Sequence, residues 1–276
     1  MRRTCLLFLA LLISACSDHS YDRLRQARAI RIGYAVEAPY AFLLPDGSVT
    51  GESPEIARAI VRRLGIEKIE WVQVEFGSLL SGLNAGRFDV IAAGMFITPE
   101  RAGHAAFSLP TFRVSPGLLV RKGNPRHLGS YEQACSVPGI HIAVLSGSVE
   151  ESLLRSLGCR DTNLVIVPDA RTGKVAVEES IADALALSLP TLRWMLMQED
   201  STGDTEIAPH AAHGASGHGG FAFRLEDTQL HDAWNAQLRS FIGSSEHRQL
   251  IRRFGFTDEE LPDSAQAASA TGAAAH

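Results

Sequence analysis

The sequence lacks a surplus of positive charge, a long hydrophobic run and a dense set of cysteines. Its 26 lysines and arginines are outnumbered by 31 aspartates and glutamates, so it offers no basic surface for a nucleic-acid backbone. Its longest apolar run, residues 5–13, is too short to span about 30 Å of hydrocarbon as a helix. Four cysteines in 276 residues do not make a small disulfide scaffold. These absences leave an ordinary globular protein of one large domain or two smaller ones.

Residues 1–15 are predicted to be a secretory signal peptide, because Arg2 and Arg3 precede the short apolar run. The next segment, Ile-Ser-Ala-Cys at 13–16, resembles a bacterial lipobox. The resemblance implies that Cys16 is diacylated and that 16–28 is a linker. The expected location is periplasmic, anchored to the membrane by lipid, with outer-membrane sorting if the host has two membranes. A plain signal peptide without lipidation is the alternative.

Two cysteines remain after the signal peptide and the anchor, Cys135 and Cys159. An even pair in an oxidising compartment is a disulfide candidate, and a loop of this length is worth about 3 kcal/mol in the chain-entropy model. Two independent buried thiols are the alternative. Three histidines at 210, 213 and 218 lack the spacing of a helical ligand pair, and the sequence predicts neither a metal site nor another cofactor.

Strand-like and helix-like segments alternate along the chain, which is typical of α/β proteins with mainly parallel sheets. We predict strands at 29–34, 69–76, 88–93, 140–145, 164–167, 184–187 and 219–224. We predict helices at 53–64, 78–85, 148–157, 170–180, 190–198, 227–241 and 245–254. Ser53 is the predicted N-cap of the first of these helices, and Gly65 is predicted to end it.

This order predicts two Rossmann-like lobes joined by two crossover strands. The first lobe comprises 29–119 and, after the chain returns, 220–262; the second lobe is 120–219. Residues 263–276 are predicted to be a disordered tail. Two crossovers make a hinge with a cleft between the lobes, and ligands of open α/β sheets bind beyond the carboxyl ends of the strands.

The predicted strand ends of the first lobe carry a distinctive set of side chains. They are Glu37, Tyr40, Phe76, Phe96 and Arg101. A guanidinium grips a carboxylate through two parallel hydrogen bonds, and aromatic faces attract a cation by about 0.5–2 kcal/mol per contact. The set therefore predicts a site for a small zwitterion that has one carboxylate and one diffuse cation.

Much of the chain resembles the bacterial extracellular solute-binding proteins of family 3, which serve ABC importers. The likeness covers 30–101, 118–125 and 219–262, and Thr-Pro-Glu-Arg at 98–101 matches the family's carboxylate-gripping motif. Within the family, the ectoine/hydroxyectoine-binding group is nearest, on the strings at 33–35, 37–40, 75–79, 86–95 and 254–257. The resemblance implies a two-lobed, type II periplasmic-binding-protein fold, no enzymatic activity, and delivery of a solute to ABC permease subunits by what we expect to be a monomer.

The resemblance also implies a role for individual residues. Arg101 would bind the ligand carboxylate, and Glu37 would pair with an amidinium N–H. The cage would consist of Tyr40, Phe76 and Phe96. The second lobe would contribute the turn that opens a helix, with Ser148 and Glu150.

Two positions depart from the amino-acid-binding members of the family. Phe96 stands where those members carry a hydroxyl residue, and Ser188 stands where they carry an aspartate for the α-ammonium group. A buried ammonium without its carboxylate loses several kcal/mol, about 3–5 by general experience, which disfavours an α-amino acid. The second lobe matches the ectoine group more loosely, so a relative of ectoine or a polar amino acid remains an alternative.

Several alternatives remain open. Each aromatic ring of the cage can instead belong to the core, Arg101 can brace a loop, and Glu37 can cap a turn or lie on it in solvent. No Ser–His or Cys–His pair has a nucleophile context. A periplasmic dehydratase of the cyclohexadienyl type, with Glu37 or Glu150 as an acid, is the rival from the enzyme class. A sensory module is a further rival.

Overall fold

A computed structural model describes residues 18–198, 203–209 and 217–262. Cys16, the predicted signal peptide and the predicted tail lie outside the described residues. Within those ranges, no helix has the length and apolar character needed to cross a membrane.

Helices and strands alternate along most of the described chain. The strands are β1 Ala29–Tyr34, β2 Phe42–Leu43, β3 Val49–Thr50, β4 Lys68–Gln73, β5 Val90–Phe96, β6 Ala106–Phe107, β7 Phe112–Val114, β8 Pro116–Arg121, β9 Ile142–Leu145, β10 Leu164–Val167, β11 Ala184–Ser188, β12 Thr205–Ile207 and β13 Gly217–Phe223. The helices are α1 Ser20–Ala27, α2 Glu52–Arg63, α3 Leu79–Asn84, α4 Pro99–Ala102, α5 Tyr131–Ser136, α6 Val149–Ser156, α7 Ala170–Glu178, α8 Leu189–Met197, α9 Thr228–Phe241 and α10 Ser245–Arg252.

The first lobe is built on a sheet in the order β4-β1-β5-β13-β6, with β7 also paired to β13. Its centre, β5, is a continuous apolar run that is almost wholly buried, as expected of a strand covered on both faces. Apolar residues at helical spacing on α2, including Ile56 and Ile60, pack on one face together with Trp234 of α9. The other face carries a second buried cluster that contains Phe88.

The second lobe has a sheet in the order β10-β9-β11-β8-β12. In each lobe three neighbouring strands are parallel, β4-β1-β5 and β10-β9-β11, while the remaining pairs are antiparallel. The prediction of mainly parallel sheets was therefore only partly right. The reason is that β8 and β13 enter directly from the other lobe, so no helical crossover forces them to be parallel.

The chain passes between the lobes twice, between β7 and β8 and between β12 and β13. Because β8 lies wholly in the second sheet and β13 wholly in the first, the predicted boundaries at 119/120 and 219/220 fall inside these strands. We propose that the lobes divide a few residues earlier at both crossovers.

The beginning of α2 differs from the prediction. Gly51, and not Ser53, is the N-cap residue, and the Ser53 hydroxyl donates to the Glu52 carboxylate instead. The helix begins earlier because the N–H groups of Glu52 and Ser53 donate to the carbonyl groups of Pro39 and Tyr40. Sequence spacing cannot reveal these bonds, because they come from a distant turn.

A disulfide joins Cys135 at the end of α5 to Cys159 after α6, with α-carbons 4.8 Å apart.

We expect the double variant Cys135→Ala, Cys159→Ala to lose about 3 kcal/mol of unfolding free energy, because the bond closes a loop across a sequence separation of 24 residues. Urea denaturation measures this loss. Dithiothreitol should lower the wild-type midpoint to that of the variant and leave the variant unchanged; an unmoved wild-type midpoint would contradict the prediction.

Candidate functional site

Arg101 lies at the contact between the two lobes and is only 7% exposed. The Thr98 hydroxyl accepts a hydrogen bond from the Arg101 N–H and Pro99 occupies the first turn, so the local sequence begins α4 at this point. The guanidinium donates to the Phe96 carbonyl at 2.9 Å and, across the lobes, to the Gly147 carbonyl at 2.7 Å. Burial lowers the pKa of Arg101 from its ordinary value, and a guanidinium still keeps its charge.

The ring of Phe76 faces that guanidinium, whose carbon lies 5.5 Å from the ring centroid. This is the distance of a cation–π contact. Phe76 does not end a strand as predicted, because β4 ends at Gln73 and Phe76 begins a 3-10 turn. The turn brings Gly77 against the second lobe, where an added β-carbon would lie 3.1 Å from the Ser146 carbonyl oxygen.

A chain of hydroxyl groups crosses between the lobes. The Tyr40 hydroxyl donates to Ser188 Oγ at 3.1 Å, Ser188 Oγ lies 3.0 Å from Thr191 Oγ1, and Thr191 donates to Glu37 Oε1 at 3.0 Å. Either hydroxyl can be the donor between Ser188 and Thr191. The chain begins and ends in the first lobe and passes through the second, so it joins the lobes at two points.

The three rings of the predicted cage have different surroundings. The Tyr40 ring is packed among Phe112 and Phe256, with centroids 4.9 and 5.5 Å away, and the residue is 1% exposed. It presents its hydroxyl to the interlobe contact, and not the ring face that was predicted. Phe96 is partly buried, lies edge-on to Phe112 and lines a small cavity of about 40 Å³ together with Glu150.

Residues Ser148 and Glu150 open α6 on the second lobe. The Ser148 hydroxyl accepts from the Glu151 N–H at 3.1 Å, so it serves as the helix cap. Glu150 is 4% exposed, and burial raises its pKa. Burial, and then the negative charge of Glu150, raise the pKa of Glu37 from 4.5 to about 8. The structure thus brings Glu37, Glu150 and Arg101 close enough to interact electrostatically.

Two clefts flank these interlobe contacts. One, of about 530 Å³, is lined by residues around Arg101 and Gly147, and the other, of about 510 Å³, by residues that include Glu37 and Trp194. Each has the size of a small-molecule site. Within the described ranges no group of three or more His, Cys, Asp or Glu residues could hold a metal ion; His210 and His213 lie outside those ranges.

A sequence model of the family described as bacterial extracellular solute-binding proteins, family 3, matches residues 30–257. The chain belongs to this family. The family and the two-lobed α/β fold predicted from the sequence are both confirmed.

Known solute-binding proteins resemble the chain over most of its length. A probable amino-acid ABC transporter periplasmic-binding protein of Sinorhizobium fredii is 34% identical over 240 residues, 84% of this chain and 78% of the relative. The crystal structure of EhuB in complex with hydroxyectoine has a TM-score of 0.82 and 29% identity, over 87% of this chain and 93% of EhuB. A mutant arginine-binding protein of T. maritima has a TM-score of 0.77 and 26% identity, over 86% and 99% of the two chains.

Sequence reasoning missed three participants in this solute-binding protein's interlobe contact. They are Gly77, Gly147 and Thr191. Thr191 had a usable signal, because it stands three residues after the Ser188 cap and therefore in the first turn of α8. Gly77 and Gly147 lie in segments that the sequence analysis singled out, the string at 75–79 and the turn before α6, but nothing in those segments marked the glycines themselves, because their contacts arise only when the lobes meet.

Proposed function

We propose that this protein is the substrate-binding lipoprotein of an ABC importer. It captures a small zwitterionic solute, ectoine, hydroxyectoine or a similar compatible solute, and delivers it to permease subunits in the membrane. The lipid anchor on Cys16 keeps it in the periplasm at the membrane surface, and it acts as a monomer without enzymatic activity. The similarity to EhuB with hydroxyectoine supports this choice of ligand.

The observation that carries the proposal is the buried guanidinium of Arg101 between the lobes. Its hydrogen bonds to the neutral carbonyls of Phe96 and Gly147 mark directions in which a ligand carboxylate can accept. Hydrogen bonds between charged partners are about twice as strong as those between neutral ones, so a carboxylate is the preferred occupant. The carboxyl group of Glu37, which is bonded by Thr191 of the second lobe, is the proposed partner of the ligand's cation, while the Phe76 ring packs against the Arg101 guanidinium.

Ligand capture then shifts the lobes toward their closed arrangement. A ligand shifts such an equilibrium only by its differential affinity for the two states. Contacts with Arg101 on one lobe and with the turn before α6 on the other can be made together only when the lobes are closed. The closed form is the one presented to the permease.

A polar amino acid is the second candidate ligand. Glu150 favours it, because this buried acid offers a carboxylate to an ammonium group that Ser188 does not provide. The Sinorhizobium fredii relative supports the same choice. The rival enzyme, a dehydratase of the cyclohexadienyl type, is favoured by the Glu37 carboxyl group, whose pKa of about 8 makes it an acid at neutral pH.

A thermal-shift screen tests these candidates directly. Its probes are ectoine, hydroxyectoine, proline, glycine betaine and the standard amino acids, while prephenate and arogenate are assayed for turnover. A ligand at 100 times its dissociation constant stabilises the folded state by about 2.7 kcal/mol, so we expect ectoine or hydroxyectoine to raise the melting temperature most. A larger rise in melting temperature with an amino acid would contradict the ectoine proposal and support the second candidate ligand. Turnover of prephenate or arogenate would instead support the dehydratase.

The variant Phe96→Ser adds a second arm to this screen, because Phe96 is one of the positions that departs from amino-acid-binding members. We expect the shift with ectoine to decrease, since the variant loses an aromatic surface. Phe107→Ser, in the same lobe, controls for the loss of an apolar ring. A gain of affinity for an amino acid in Phe96→Ser would favour an amino-acid receptor with a changed pocket.

A further inference from the structure

The interior between the lobes contains more acid than base. The buried or partly buried ionisable side chains at this contact include Glu37 and Glu150 against the guanidinium of Arg101, and Glu52 is buried nearby within the first lobe. Two tyrosines nearby, Tyr40 and Tyr131, are neutral, because burial raises their pKa well above 10. With every carboxyl group ionised, this cluster carries a net negative charge that burial disfavours.

Glu52 does not respond to the movement of the lobes. Its carboxylate accepts a 2.6 Å hydrogen bond from Ser53, and both residues belong to α2 of the first lobe. Burial raises the pKa of Glu52 to about 7, but this burial lies within one lobe. Opening or closing the cleft therefore leaves the surroundings of the Glu52 carboxyl group, and so its pKa, unchanged.

Glu37 and Glu150 differ in this respect, because they come from opposite lobes. Glu37 follows β1 and is bonded by Thr191 across the cleft, while Glu150 lies in the first turn of α6. Their like charges approach each other only when the lobes close. Arg101 is the cation that acts on both carboxyl groups.

Other charged groups near this pair have partners or are exposed. Glu100, next to Arg101 in the chain, also acts on the guanidinium, but its side chain is exposed. The cleft beside Glu37 is also lined by Asp169, Arg171 and Lys174 of the second lobe. Lys174 pairs with Glu178 at 2.8 Å. On the side of Glu150, the adjacent Glu151 pairs with Arg155 at 2.9 Å. These groups leave the excess of acid inside the contact unchanged.

We propose that Glu37 and Glu150 together hold one proton when the lobes close on a net-neutral zwitterion, and that a ligand with a second positive charge binds without that proton. This inference rests on the proposed function, because it places the ligand carboxylate on Arg101. The ligand's own cation then neutralises one of the two carboxylates. The other takes a proton from solvent, or pairs with a second cationic group of the ligand.

The charge sum shows why the proton is needed. Arg101, Glu37 and Glu150 sum to one negative charge when all are ionised, and a zwitterion leaves that sum unchanged. An uncompensated buried charge is disfavoured by several kcal/mol, about 3–5 in proteins, whereas protonation removes it. A ligand of net charge +1 removes it equally well and needs no proton.

The direction of the pH dependence follows from this. Burial and the neighbouring Glu150 raise the pKa of Glu37 from its ordinary value of 4.5 to about 8 in this arrangement of the lobes. The protein therefore binds a net-neutral ligand with full affinity below the ordinary pKa of 4.5, and this affinity is lost as pH rises through the raised pKa of about 8. Between these values it falls about tenfold per pH unit, the slope for uptake of one proton.

Isothermal titration calorimetry of the wild-type protein tests the proposal. Three probes, ectoine, citrulline and arginine, are titrated between about pH 6.2 and 7.8 in phosphate and in imidazole, two buffers that both work in this range and differ in ionisation enthalpy, so that the protons exchanged are counted. Citrulline and arginine have nearly the same shape, and only arginine has net charge +1. We expect each net-neutral probe that binds to take up about one proton and to weaken about tenfold per pH unit. Arginine, if it binds, is expected to take up none and to change less than about twofold per pH unit.

Two results would overturn the inference: a net-neutral probe that binds with no proton uptake and constant affinity, or arginine binding with the proton uptake of citrulline. If neither these probes nor any zwitterion of the thermal-shift screen binds, the proposed function itself fails and the inference falls with it, an outcome that differs from binding without proton exchange.

The variant Glu150→Gln adds a matched test, because one carboxylate fewer removes the need for a proton. Net-neutral probes should bind this variant without proton uptake and with a flat pH profile. Glu179→Gln, which changes an exposed acid of the same lobe, should retain the wild-type proton count. Retained proton uptake in a folded Glu150→Gln variant would contradict the pairing, and the wild-type proton counts decide alone if that variant does not fold.

Discussion

Replacing Arg101 by alanine is expected to weaken binding of the zwitterion that most stabilises the wild type by about a thousandfold, or about 4 kcal/mol. The substitution removes the cation that pairs with the ligand carboxylate and leaves the acids Glu37 and Glu150 without their common counter-charge. It also removes the bond that Arg101 makes to Gly147 across the lobes. Calorimetric titration of both proteins at the same pH measures the loss.

Two matched variants distinguish binding of the ligand carboxylate by Arg101 from a purely structural role of this residue in its loop. Arg101→Lys keeps the charge but loses the planar fork, so an intermediate loss is expected. Arg87→Ala removes an exposed arginine of the first lobe and should leave the affinity unchanged. If Arg101 only braces the loop, Arg101→Ala will weaken a carboxylate ligand and its carboxamide analogue equally. Wild-type affinity in a folded Arg101→Ala protein would remove the basis of the proposed function.

Replacing Gly94 by alanine is expected to lower the unfolding free energy by about 3 kcal/mol or more. Gly94 has a φ of +65°, and a β-carbon there would lie 2.4 Å from Cγ of the buried Tyr40 ring. Its N–H also donates to Ser53, and the pairing between β5 and β13 shifts register opposite this point, between Gly220 and Ala222. Displacing Tyr40 also disturbs the hydroxyl chain to Ser188, so ligand affinity should fall with stability.

Gly86→Ala is the control for the backbone contribution. Gly86 has nearly the same φ, +69°, and an added β-carbon there meets open space. Gly86→Ala should lower the unfolding free energy by about 1 kcal/mol, because only the left-handed backbone conformation is disfavoured. Urea denaturation of both variants isolates the clash with Tyr40 as the difference between the two losses. Equal losses would show that the Tyr40 ring moves aside without penalty.

Local patterns were sufficient for the elements that depend on neighbouring residues. The alternation of apolar runs and amphipathic helices predicted the two-lobed α/β fold, and the Thr-Pro-Glu-Arg string at 98–101 predicted the family. Local patterns did not predict features that depend on hydrogen bonds to distant backbone groups. The first residue of α2 is one example, because the carbonyl groups of Pro39 and Tyr40 accept the hydrogen bonds that fix it. The antiparallel strands were missed for the same reason, because their partners belong to remote parts of the chain.

The sequence by itself determined the kinds of chemical group available to the candidate site: a guanidinium, carboxyl groups, rings and helix caps that follow strands. Only the tertiary structure decided which of them meet. Tyr40 and Ser188 are 148 residues apart in the chain, and Glu37 and Thr191 are 154 apart, yet each pair is hydrogen-bonded. Such contacts arise from the packing of one lobe against the other. No pattern of neighbouring residues encodes that packing, because it depends on the shapes of both lobes at once.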